Sequence, residues 1–211
     1  MDGIIFDLDG TLWDSTQAVA DAWNEALEKN TTLDKRVTGA ELKTVFGKPL
    51  EEIFAILFPS EEKEYLEQLA VMLYEHQHEK LANEGCGTYA GVPEVLEALS
   101  KKYPLFIVSN CQAGYIEVFF KATGLETYIT DYTCPGDTGM FKAENIRLIM
   151  ERNALKNIVY VGDTLGDKMA CDKAGVPMIH ARYGFGDVEN AYAEIEGFTE
   201  LLDIDYEVIH G

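Results

Sequence analysis

A chain of 211 residues with 17 Lys+Arg against 37 Asp+Glu carries a formal charge of −20. That balance excludes a scaffold for nucleic acid or for an anionic membrane leaflet, since both draw their affinity from clustered cations. At 47% hydrophobic and 11% aromatic the chain still has the apolar content for a sizeable core, so its acidity does not signal disorder.

In chain order, Gly3 to Phe6 is a short apolar run cut off by Asp7-Leu8-Asp9-Gly10, the pattern of a strand buried on both faces that ends in a polar loop. The amino terminus lacks the cationic lead-in of a signal peptide, and no apolar run reaches the roughly 18 residues of a spanning helix. A soluble, cytoplasmic protein is expected. Residues 14 to 84 then read as helices only. Ala18, Val19, Ala22, Trp23, Ala26 and Leu27 form an apolar stripe, Thr38-Gly39-Ala40-Glu41 has the form of a capping box, and Pro49 suits a first helical turn. An amphipathic stretch from Glu61 to Leu81 closes at Gly85.

Three more apolar runs follow: Leu105–Val108 ending at Ser109-Asn110, Ile158–Val161 ending at Gly162-Asp163, and Pro177–His180 ahead of a glycine-rich loop. Helices marked by Val95, Leu96 and Leu99, by Ile116, Phe119 and Phe120, and by Ile146, Ile149 and Met150 lie between them, with Gly124 and Gly175 as stops. This alternation predicts an α/β fold, a Rossmann-like parallel sheet with helices on both faces. The expected organisation is a core of residues 1–13 and 85–211 with a helical cap of residues 14–84 over the strands' carboxyl ends. Cys86, Cys111, Cys134 and Cys171 form no C-x-x-C pair and predict reduced thiols.

Ligands of open α/β sheets bind beyond the carboxyl ends of the strands. The strand-end loops here offer Asp7, Asp9 and Thr11, then Ser109 and Asn110, then Asp163 and Asp167. Carboxylates gathered this way repel one another, and a divalent cation with hard oxygen ligands, Mg²⁺, resolves the conflict. Taken singly, the same residue types also suit turns and helix caps.

Asp7-x-Asp9-Gly10-Thr11, Ser109-Asn110, Lys142 and Gly162-Asp163-x-x-x-Asp167 together resemble the four ordered motifs of the haloacid dehalogenase-like hydrolases, across nearly the whole chain. The helical insert resembles the cap of the branch that includes phosphoglycolate phosphatases and β-phosphoglucomutase. The resemblance implies a Mg²⁺-dependent phosphatase of a small phosphorylated metabolite, with Asp7 as nucleophile and Asp9 as general acid and base. It further implies Mg²⁺ held by Asp7, the Asp9 carbonyl and Asp163 with Asp167 in support, and phosphoryl oxygens held by Ser109 and Lys142, with Thr11 and Asn110 beside them. Phe141-Lys142-Ala143 lacks the proline that often follows this lysine in relatives.

Asp9 and Asp163 count against a dehalogenase, which needs neither a second aspartate nor a metal. Val19 stands where β-phosphoglucomutases carry a cap histidine, and Thr11 where they tend to carry an aliphatic residue; both favour water as final acceptor. A phosphomutase or an inorganic pyrophosphatase on the same scaffold stays open, and a non-catalytic binding module is the reading of a different class. Lys48 does not match the register of a Schiff-base lysine and is expected to contact the substrate's leaving group or a second anion. His76 and His78, two apart on a helix, point different ways. Cys111 reads as packing, Gly184-Phe185-Gly186 as a loop beside the site, and the tail from Asp187 to Glu207, with eight acids and no Lys or Arg, as a solvated helical face or edge. The particular ester and the oligomeric state stay open.

Overall fold

Six strands, β1 (Gly3–Phe6), β2 (Leu105–Val108), β3 (Asp131–Thr133), β4 (Ile158–Gly162), β5 (Met178–Ala181) and β6 (Ala193–Ile195), form one sheet in the computed structural model, which describes residues 1–209. Their order is β3-β2-β1-β4-β5-β6, and every neighbouring pair is parallel. The four apolar runs are β1, β2, β4 and β5, all buried along their length. The edge strands β3 and β6 are additional to those expected. Asp131-Tyr132-Thr133 and Ala193-Glu194-Ile195 are three residues each and only partly buried, so they leave no apolar run to read.

β1 lies at the middle, with Ile4 paired to Leu105 on one side and to Val159 on the other. The chain runs outward from β1 to β2 and β3, then crosses back to β4 on the opposite side. Adjacent crossovers therefore diverge between β1 and β4, leaving a crevice at the strands' carboxyl ends. Alternation along β1 sends Ile4 and Phe6 to one apolar layer and Ile5 to the other.

Four helices, α1 (Thr16–Asn30), α2 (Gly39–Val45), α3 (Leu50–Leu57) and α4 (Lys63–Glu84), follow β1. The Thr38–Glu41 capping box is formed at α2, and Gly85 closes α4 with φ of 66°. Trp23 of α1 is the centre of this group: its ring lies 5.2 Å from that of Phe54, and its indole N–H donates to Gln77 Oε1 at 2.7 Å. The two connections to the sheet run side by side, with Trp13 bridged to Thr88 and the Tyr89 N–H donating to the Leu12 carbonyl at 3.1 Å.

The remaining helices are α5 (Val92–Ser100), α6 (Tyr115–Thr123), the single turn α7 (Pro135–Thr138), α8 (Lys142–Arg152) and α9 (Leu165–Ala174). Gly124 and Gly175 end α6 and α9 in the left-handed conformation that glycine adopts without cost. Apolar residues of α5 and α6 share a layer with α1 and α4, whereas those of α8 and α9 fill the opposite layer. Beyond β6 the acidic tail makes short 3₁₀ turns, Phe198–Asp203 and Tyr206–Val208, that bury Phe198, Leu201 and Tyr206. No helix among the described residues is long and apolar enough to cross a membrane, and all four cysteines are free.

Candidate active site

β1 carries Asp7 directly past its last residue, and the Asp7 N–H donates to the Val161 carbonyl at 2.8 Å, so the ends of β1 and β4 are fixed together. β4 delivers Asp163, and the first turn of α9 delivers Asp167. Oxygens of Asp7, Asp163 and Asp167 lie within 4.8 Å of one another, and all three residues are buried. Lys142, the first residue of α8 and only 4% exposed, spans two of them, with Nζ 3.0 Å from Asp7 Oδ1 and 2.5 Å from Asp167 Oδ1. One buried ammonium therefore faces three buried carboxylates.

The electrostatics follow from that imbalance. Burial pushes Asp7 up to about 6, partly offset by Lys142 and reinforced by Asp167. Asp163 rises well above the usual carboxylate range through burial and then through Asp167 and Asp7. Burial works to raise Asp167 too, but Lys142 and the hydrogen bonds from Thr164 outweigh it and hold Asp167 low. The same two carboxylates overcome the burial of Lys142 and raise its ammonium. A set of hard oxygen donors with too little positive charge fits Mg²⁺.

Asp9 points away from this cluster. Its Oδ1 accepts from Ser15 Oγ at 2.5 Å and from the Tyr115 hydroxyl at 3.1 Å, and Tyr115 also donates to Ser15 at 2.8 Å. Burial lifts its carboxyl to about 7, against the pull of the Ser15 hydrogen bond. Both of these donors meet Oδ1.

Asp7, Asp9, Ser109 and Asn110 line one cavity, closed on its far side by residues of α1, α3 and α4. Asn110 donates through Nδ2 to the Gly47 carbonyl at 2.9 Å, a direct link from β2 to the loop between α2 and α3. Thr11 lies elsewhere: it is fully buried and its Oγ1 reaches Asp163 Oδ1 at 3.3 Å, which orients the carboxylate. Lys48 is exposed and does not line the cavity, whereas its neighbours Phe46 and Gly47 do.

Several participants were not read from the sequence. Tyr160 sits inside the apolar run of β4 and looks like core, yet its hydroxyl donates to the Val108 carbonyl at 2.7 Å and lies 3.3 Å from Asp167 Oδ1. Gly184-Phe185-Gly186, expected as a loop beside the site, does lie there: the Phe185 N–H donates to Asp163 Oδ2 at 2.7 Å, so the loop acts through its backbone. Gly184 permits that approach, because a Cβ there would fall 2.3 Å from Asp163 Cβ. Thr164 and Asp167 form a reciprocal capping box at α9; this signal, a threonine three residues before an acid, was visible. His78 stacks on Tyr115 while His76 pairs with Glu25, so the two do point apart. Cys111 is buried and its thiol is pushed well up by burial.

Residues 4–181 match the family model described as haloacid dehalogenase-like hydrolase. The chain belongs to this family. Full-length relatives include the phosphoglycolate phosphatases of Photobacterium profundum, 26% identical and covering 95% of this chain and 94% of their own, and of Agrobacterium fabrum, 28% identical and covering 96% and 91%. Among solved structures, a haloacid dehalogenase-like family hydrolase from Streptococcus pneumoniae superposes with a TM-score of 0.82 at 20% identity, covering 96% of this chain and 97% of that one. A predicted phosphoglycolate phosphatase from Haemophilus somnus gives 0.84 at 20% identity over the same shares. As a member of the haloacid dehalogenase-like hydrolases the chain is a phosphatase enzyme, and its parallel sheet is the family's fold.

Proposed function

We propose that this haloacid dehalogenase-like hydrolase removes phosphate from a small metabolite monoester through a covalent aspartyl-phosphate on Asp7, with Mg²⁺ as cofactor, in the cytoplasm. The observation that carries the reading is the Lys142 ammonium held between Asp7 and Asp167, with Asp163 beside them and Asp9 facing the cavity. Asp7, Asp163 and the Asp9 carbonyl would hold Mg²⁺, with Asp167 supporting, and the cation supplies the charge that lets an anionic nucleophile meet an anionic ester.

In the first half-reaction the Asp7 carboxylate attacks phosphorus, and the bond from phosphorus to the ester oxygen breaks. The departing oxygen takes the proton of Asp9, whose carboxyl, raised to about 7, is substantially protonated at neutral pH. Lys142 fixes the Asp7 carboxylate, and Ser109, buried at the end of β2, holds a phosphoryl oxygen. In the second half-reaction water gives its proton to Asp9 and attacks phosphorus, which frees Asp7 and releases phosphate. Residues 14–84 form the cap, whose closure excludes bulk water during the first step.

A mutase would return the phosphoryl group to a second hydroxyl. The Val19 side chain is fully buried in the core of α1 and provides no titratable group for that purpose, which supports water as acceptor. The test is phosphate release from p-nitrophenyl phosphate in Mg²⁺. Wild type turns over, EDTA abolishes turnover, and Asp7→Asn is inactive with an unchanged circular dichroism spectrum. Turnover by Asp7→Asn removes the nucleophile assignment, full activity in EDTA removes the metal, and release from pyrophosphate alone moves the assignment to a pyrophosphatase.

A further inference from the structure

The wall of the cavity opposite Asp7 and Asp9 is built from Trp23, Phe46, Leu50, Ile53, Tyr74 and Gln77. Four of these are apolar, and the other two are neutral. Gln77 is 3% exposed, and its Oε1 is already occupied by the Trp23 indole at 2.7 Å, which leaves the amide N–H donors for the cavity. The Tyr74 hydroxyl is buried with no hydrogen-bond partner among the described residues, an arrangement that costs stability until a ligand group satisfies it.

No lysine, arginine or histidine lines this cavity among the described residues. Two nearby cations are committed elsewhere. Lys43 is paired with Asp14 at 2.6 Å and lies over the Phe185 ring, and Lys80 is paired with Glu25; Lys48 makes no ion pair among the described residues, but it is exposed and stands outside the cavity lining. The amino end of α3 reaches the cavity at Leu50, but its first turn carries Glu51 and Glu52, which oppose the attraction of a helix start for anions.

We infer that the substrate's leaving group is a small neutral alcohol carrying a hydroxyl or amide, and not one with a second anion such as the carboxylate of glycolate. The inference rests on the phosphatase reading and narrows it. A carboxylate placed against this wall loses its water without gaining a cation from the side chains that line it. A hydroxyl or amide instead finds the Gln77 N–H and the Tyr74 hydroxyl, with the apolar ring faces covering its carbons.

The decisive experiment compares kcat/KM, in Mg²⁺, for 2-phosphoglycolate, its neutral amide, and 2-hydroxyethyl phosphate, three esters of nearly equal size. The two neutral esters are expected to exceed 2-phosphoglycolate at least tenfold. Leu50→Arg, which sets a cation at the half-buried edge of the wall, should move the ratio toward 2-phosphoglycolate at least tenfold; the wild-type ratio stands as the test should that variant not fold. Phosphate release from 2-phosphoglycolate as fast as from the amide overturns the inference and leaves the phosphatase reading intact. No release from any of the three, nor from p-nitrophenyl phosphate, overturns both.

Discussion

Lys142→Met removes the one ammonium of the carboxylate cluster and keeps a chain of similar length. Asp7 and Asp167 then face each other across a buried space with no counter-charge, where Lys142 had held them at 3.0 and 2.5 Å. Removing one partner of a buried ion pair costs about 3–5 kcal/mol. For a chain of this size each kcal/mol moves Tm by roughly 2–4 °C, so a fall of about 6–20 °C is expected in EDTA, read by circular dichroism or calorimetry. Phosphate release with saturating Mg²⁺ should fall by about 10²-fold, the usual cost of a nucleophile displaced by about 1 Å. Adding Asp167→Asn to Lys142→Met removes one of the stranded charges, so the double variant should melt above the single one. A Lys142→Met variant that melts within about 1 °C of wild type, or whose Tm falls further on adding Asp167→Asn, would mean that the cluster is not held by charge balance.

Gly184→Ala sets a Cβ 2.3 Å from Asp163 Cβ and 2.6 Å from the Gly10 carbonyl oxygen, so Asp163 must shift. The cost is about 1–3 kcal/mol of stability, and the Mg²⁺ concentration for half-maximal activity should rise at least tenfold; an unchanged Mg²⁺ midpoint contradicts the placement of Asp163 as a ligand. The stability of the metal-free protein should fall as pH rises from 5 to 8. Asp7 near 6, Asp9 near 7 and the raised Asp163 keep protons in the folded state that the unfolded chain has already lost, so the folded state binds more protons across that window. Asp167, held low, contributes nothing to the slope there, and His78, lowered by burial, opposes it with one group against three. A Tm in EDTA that rises or stays flat between pH 6 and pH 8 contradicts this account.

Legibility in the sequence followed burial. β1, β2, β4 and β5 are covered on both faces and could be seen as apolar runs, and the site residues immediately after β1, β2 and β4 came with them. Lys142 was found by its place in an ordered set of motifs, since a lone lysine opening a helix carries no signal. Ser15 and Tyr115 escaped because they act on Asp9 from α6 and from the approach to α1, which only the folded chain brings together. Tyr160 escaped because a tyrosine in an apolar strand looks like packing until its hydroxyl is followed. Thr11 shows the converse: its type and place suit a substrate contact, but its hydroxyl is turned to Asp163 and not to the cavity.

The two edge strands that left no trace in the sequence are the places where this sheet meets the surroundings. A parallel sheet of long apolar edges would recruit strands from other chains. Here β3 is three residues long, and Arg152 seals it: the guanidinium grips Asp131 at 2.9 and 2.6 Å and donates to the outward Tyr132 carbonyl at 3.0 Å. On the far edge, Glu194 of β6 is paired with Arg182 at 3.2 Å, and the acidic tail wraps beyond it. Concentrated protein should therefore resist strand-mediated association, and Arg152 is a guard against aggregation that stands clear of the chemistry.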